Sequence, residues 1–134
     1  MRSIYIAALL IGVLGGCKKD DTTESTKTKH TIYYEATIES SGDVEFTYIF
    51  FKVFNADSSM EYLYNLKTDH FVSDTLIYTE DGLTNFVDTY FAAACTATAA
   101  GRLTLRTVVD GKVKEVTATG TEMEAYDSRT WSFD

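Results

Sequence analysis

Proline is absent from this 134-residue chain, and only two cysteines and two histidines occur. Proline makes up about 5% of an average protein, so its absence removes Pro-rich linkers and collagen-like repeats, and an ordinary 8 glycines removes Gly-rich low-complexity chains. Two cysteines cannot build a disulfide framework, and two isolated histidines with no Cys-x-x-Cys or i,i+4 partner give no zinc-type ligand set. Basic residues are also scarce. With 12 Lys and Arg against 20 Asp and Glu, the net charge is -8 and the pI about 4.7, which excludes the clustered cations that nucleic acid requires. Sequences typical of a serine hydrolase elbow, a zinc protease helix, a phosphate loop or a calcium loop are missing. No enzyme and no cofactor is therefore expected.

What the chain does have begins at its N-terminus. Arg2 precedes an apolar run from Ile4 to Leu14, too short to span a bilayer as a permanent helix, which takes about 20 residues. Residues 1–16 therefore predict a signal peptide. Leu14, Gly15, Gly16 and Cys17 resemble the lipobox of bacterial lipoproteins, which implies cleavage before Cys17 and acylation of its thiol as the new N-terminus. Several acyl chains on one residue hold a membrane far better than one chain does. Residues 17–30 hold no large apolar side chain, so they predict a solvated tether carrying the first histidine, His30. Lys18, Lys19, Asp20 and Asp21 resemble the export signal of surface-displayed Gram-negative lipoproteins, which implies the outer membrane and favours its outer face.

The remainder, residues 31–134, keeps most of the acid: five of the 12 basic and three of the 20 acidic residues lie ahead of it, leaving an excess of about ten negative charges. Its patterning is that of strands. Ile32, Tyr34, Ala36 and Ile38 alternate with Tyr33, Glu35, Thr37 and Glu39. After a turn at residues 40–43, Val44, Phe46, Tyr48 and Phe50 form one face, until Ile49, Phe51 and Val53 make both faces apolar and predict a central or covered end. Residues 55–59 break the chain. Short strands are expected at 60–66 and 75–78, with a turn at 80–82. The alanine-rich stretch from Ala92 to Ala100 permits a helix, but interleaved Thr and the preceding Phe86 and Tyr90 favour a strand packed by small side chains against bulky rings. Asp110-Gly111 between alternating runs predicts a two-residue type I′ hairpin. That turn fixes the register: Val109 opposite Lys112, Leu105 opposite Val116 and Leu103 opposite Ala118 on one face, with Arg106 opposite Glu115 and Thr104 opposite Thr117 on the other. Residues 122–134 predict one or two closing strands.

Seven or eight antiparallel strands in about 100 residues predict an all-β domain built as a two-sheet sandwich. Residues 90–119, with their Ala/Thr-rich strand, Leu-Thr-Leu-Arg strand, Val-Asp-Gly-Lys turn and following Lys-Glu-Val-Thr-Ala, are similar to the C-terminal half of MmpS-like lipoprotein domains. That resemblance implies an immunoglobulin-like sandwich and service as an accessory subunit of an RND-type exporter. The chain departs from the pattern in a longer first half rich in Phe and Tyr.

Few side chains stand out as functional. Cys95 lies among Ala and Thr with no basic neighbour, which predicts a buried, inert thiol. His30 and His70 are expected at the surface. Asp21-Thr22-Thr23 and Asp74-Thr75-Leu76 resemble the O-glycosylation acceptor of some exported Gram-negative proteins, marking Thr22 and Thr75. Tyr33, Tyr62, Tyr64, Tyr126 and Trp131 are a candidate sugar- or protein-binding strip, with Trp131 and Tyr126 foremost, though such rings also stand on ordinary sheet faces. The functions these features allow are a lipid-anchored binding module with a protein partner in the envelope, an exporter accessory, or a carbohydrate-binding surface lipoprotein.

Overall fold

The computed structural model describes residues 28–54, 60–80 and 85–133. Seven antiparallel strands occupy almost all of them: β1 (Lys29–Ser40), β2 (Val44–Phe54), β3 (Met60–Leu66), β4 (His70–Val72), β5 (Leu76–Thr79), β6 (Phe86–Val109) and β7 (Lys112–Ser132). All seven belong to one hydrogen-bonded sheet in the order β3-β2-β6-β1-β4, with β5 also on β1 and β7 on β6. The all-β expectation holds, but the strands do not divide into two sheets. Continuity comes from β6 and β7, which run unbroken for 24 and 21 residues where shorter separate strands were expected.

The sheet curls into a half-barrel, with a crease across its middle. The first half of β6 pairs with β2, at Val44↔Ala97 through Phe54↔Asp88, and the second half with β1, at Ile32↔Val109 through Ser40↔Gly101. Between them the β6–β7 register shifts from Thr96 to Gly101. The crease crosses the 41–43 corner that joins β1 to β2. There the Asp43 N–H donates to Thr98 Oγ1 (2.8 Å), the Thr98 N–H to the Asp43 carbonyl (2.9 Å) and the Ser40 hydroxyl to the Ala99 carbonyl (2.8 Å). Two glycines make the approach possible: a Cβ on Gly42 would lie 2.2 Å from Thr98 Oγ1, and one on Gly101 2.3 Å from the Glu39 carbonyl oxygen.

The core fills the inside of the fold. Tyr34 from β1 meets Phe51 and Phe91 of the other half at 5.0 Å each, and its hydroxyl donates to the Lys52 carbonyl at 2.9 Å. Ile32, Ile38, Phe46, Ile49, Val53, Val87, Leu103 and Leu105 complete the apolar layer. A polar contact also ties the halves, as buried Asp127 accepts from Arg129 (2.7 Å) and from the Thr107 hydroxyl (3.3 Å); within the β2 half the Trp131 Nε1–H donates to Thr89 Oγ1 (2.9 Å).

Two features of the strands depart from the simple alternation. A bulge between Phe46 and Tyr48 turns β2 over, so Phe46, Ile49, Phe51 and Val53 face inward while Tyr48 and Phe50 face outward. The doubly apolar end of β2 is central in the sheet, between β3 and β6, but its second face is not covered by another strand layer among the described residues. The 110–111 hairpin is as expected, with φ +50° at Asp110, +77° at Gly111, every predicted cross-strand pair in place and Arg106 Nε 2.8 Å from Glu115.

Candidate functional site: the outer aromatic face

Because β2 turns over at its bulge, the outer face of the β3-β2-β6-β7 half carries rings in successive cross-strand rows. Tyr64, Tyr48, Ala94 and Glu124 form one row; Tyr62, Phe50, Ala92 and Tyr126 form the next; Met60, Lys52, Tyr90 and Ser128 the third. Phe50 packs on Tyr62 at 4.3 Å and on Tyr90 at 5.6 Å, and Tyr62 stacks on Tyr64 at 5.5 Å with planes 10° apart. Tyr62, Tyr64 and Tyr126 remain 53%, 62% and 68% exposed and Met60 63%. Strand spacing near 4.8 Å puts Tyr62 and Tyr126 about 14 Å apart, with Ala92 as floor between the ridges. Contiguous exposed rings of this kind mark binding surfaces more often than isolated ones do.

Two depressions flank the rings. One of about 390 Å³ lies over Ala94 and is lined by Thr47, Thr96, Met123, Glu122 and Glu124; the other, about 300 Å³, lies between Phe54, Asp88, Ser128, Arg129 and Thr130. The Tyr48 hydroxyl donates to Glu124 Oε1 at 3.1 Å, and its pKa is pushed up to about 12 by burial and by that carboxylate. A cleft of about 550 Å³ at the crease is lined by Asp43, Val44, Glu45, Lys67 and Thr96–Thr98.

The structure separates the residues singled out by sequence. Tyr62, Tyr64 and Tyr126 come together on one surface; Tyr33 is half-buried on β1, in the other half of the sheet. Trp131 does not belong to the strip. It is 8% exposed, faces inward opposite Val87 and is held by Thr89, because odd positions of β7 in this half point to the core. Tyr48, Phe50 and Tyr90 do belong and were not singled out, since the bulge at Phe46/Tyr48 leaves no mark in the alternation. Cys95 is buried on the inner face and burial pushes its thiol up to about 11, so it is a poor nucleophile. Thr75 is exposed between β4 and β5. Cys17 and Thr22 lie outside the described residues.

His30 is the larger surprise. Rather than sitting on a tether it is the second residue of β1 and is 5% exposed. Its Nδ1 lies 2.6 Å from Asp110 and its Nε2 2.7 Å from Glu80, while its ring stacks on Phe133 at 3.5 Å and 6°. Two carboxylate acceptors on the two ring nitrogens call for a proton on each, the imidazolium form. Burial works against that charge, but the bonds and charges of Asp110 and Glu80 outweigh it and raise the pKa. This cluster clamps the start of β1 to the β6–β7 hairpin and the chain's end. With both nitrogens occupied by carboxylates, it is a structural clamp rather than an open site. His70 matches the surface expectation, half-exposed with Nε2 3.2 Å from Glu35.

Comparison of the chain with protein-family models, with curated proteins and with solved structures finds no match.

Proposed function

We propose that this protein is a lipid-anchored, non-enzymatic binding module of a bacterial cell envelope, with the outer aromatic face of β3-β2-β6-β7 as its binding surface. The observation that carries the reading is the cluster of Tyr48, Phe50, Tyr62, Tyr64, Tyr90 and Tyr126 on one open face, with Met60 at its edge. A soluble domain gains nothing in stability by leaving three tyrosines and a methionine more than half exposed side by side; a surface that meets a partner does. Acylated Cys17 would hold the module at the outer membrane, residues 18–28 would serve as tether, and Lys18 to Asp21 favour display on the cell surface. Confinement to a membrane raises the effective concentration of a partner there, so modest affinity suffices.

A second reading, the exporter accessory, draws on the resemblance of residues 90–119, which form the larger part of the β6–β7 ribbon. The immunoglobulin-like arrangement belongs to that reading, with the two halves of the creased sheet standing where two separate sheets would.

The anchoring part is tested by growing cells with labelled palmitate. Label in the membrane-bound wild type, and loss of both label and membrane attachment in Cys17→Ala, is the expected result. An unlabelled wild type, or a Cys17→Ala protein that fractionates unchanged, overturns it.

A further inference from the structure

Carboxylates sit at both ends of the ring cluster on the outer face. Glu45 and Glu122 flank Thr96 in the row beyond Tyr64–Tyr48–Ala94–Glu124, and two carboxylates, Glu122 and Glu124, border the depression over Ala94. Asp88, held by the Thr130 hydroxyl, lies at the opposite end. Of the cations nearby, the Lys52 ammonium lies 4.5 Å over the Phe54 ring, Arg129 is paired with Asp127, and Lys67 lines the crease cleft beside Glu45, away from the depression over Ala94. Glu124 receives the Tyr48 hydroxyl on one oxygen, and no hydrogen bond or ion pair to Glu122 is found among the described residues. An aromatic surface bounded by carboxylates is electrostatically complementary to cationic groups, because ring faces and carboxylates both attract them.

We infer that this face docks a basic segment of a partner protein. One Lys or Arg side chain of that segment enters the depression between Glu122 and Glu124, with its stem over Ala94, and the residues beside it lie across Phe50, Tyr62, Tyr64 and Tyr126. This rests on the reading of the face as the binding surface and adds the chemistry of the partner. Other occupants fit less well. An anionic lipid, a nucleic acid or an acidic glycan meets like charge, as does a second copy of this chain, whose own outer face is acidic. A neutral glycan stacks on tyrosines but leaves the carboxylates of Glu122 and Glu124 without a counter-charge.

The test measures binding of the full lipidated chain, in micelles of a non-ionic detergent, to two probes: an arginine decapeptide and a neutral hexasaccharide of glucose. The expected result is binding of the peptide, weakened severalfold as salt rises from about 0.05 to about 0.5 M. Glu122→Gln with Glu124→Gln weakens it about tenfold, and Tyr62→Ala with Tyr64→Ala also weakens it. The control pair Glu39→Gln with Asp74→Asn, elsewhere on the surface, leaves it unchanged. All three variants are first checked for an unchanged melting temperature, and Tyr62→Phe with Tyr64→Phe replaces the alanine pair if the latter unfolds. Equal weakening by the control pair means diffuse attraction to an acidic domain and overturns the inference. Salt-independent binding of the hexasaccharide, lost with the tyrosines but not the glutamates, also overturns it and leaves the binding-face reading intact. No binding of either probe, or binding indifferent to the tyrosines, overturns the inference and counts against the face itself.

Discussion

At the residue scale, His30 shows how far local sequence can mislead. Its neighbours Lys27, Thr28, Lys29 and Thr31 are polar and read as linker. What buries the ring is Phe133, Glu80 and Asp110, all at least 50 positions away. The consequence is a defined pH dependence. His30 has a pKa raised above its ordinary 6.5, so its stabilising contribution is complete below pH 6.5 and is lost as pH climbs through the raised value. Asp110 runs the other way: burial alone would raise its pKa, but bonds from His30 and the Thr31 N–H lower it below 3.8, so its contribution is present above 3.8 and is lost as pH falls through the lowered value. The melting temperature should therefore be highest between about pH 4 and 6.5 and fall on the alkaline side. In His30→Gln the alkaline fall should disappear, and the protein should lose about 1–3 kcal/mol at pH 6, measured by urea titration. Cys95, by contrast, was legible: no basic residue surrounds it in sequence, and in the fold it is buried. A disulfide reagent at pH 8 should leave it unmodified until the protein is unfolded.

At the element scale, the clearest reading was the β6–β7 hairpin. Asp-Gly demands positive φ at two consecutive positions, and a two-residue loop leaves one register in which Leu103, Leu105, Val116 and Ala118 share a face. Gly111→Ala should therefore cost about 1 kcal/mol, a purely conformational penalty because its Cβ would meet nothing. Gly101→Ala should cost more, about 2–3 kcal/mol, since its Cβ would press on the Glu39 carbonyl and pry β1 from β6 at the crease. Comparing the two by chemical denaturation separates backbone strain from steric overlap, and equal losses would contradict this account of the crease. The crease and the β2 bulge were not legible. Both are register changes that leave the composition of a strand unaltered, and a single extra residue moves every later side chain to the opposite face. That is why Tyr48 and Phe50, grouped with Phe46 on one face by alternation, prove to lie on the opposite face from it; Trp131, a candidate for the aromatic strip, proves to be core.

At the scale of the whole molecule, strand content and chain direction followed from alternation and turns, but the number of sheets did not. Alternation says that each strand has an inner and an outer face; it does not say whether the strands divide into two sheets or form one curled sheet. Here long β6 and β7 pass through both halves of one curled sheet and the corner at Gly42 lets β1 and β2 follow them. The fold thereby leaves one half with its outer face rich in rings and bounded by carboxylates, the face to which we assign the proposed binding function. Position-specific photo-crosslinking on the full chain in living cells tests that assignment most directly. A photoreactive amino acid at position 64 or 126, on the aromatic face, should give a discrete crosslinked partner, and the same group at position 77 or 113, exposed on the other half, should not. Adducts of equal yield from all four positions, or from 77 and 113 alone, would contradict the account.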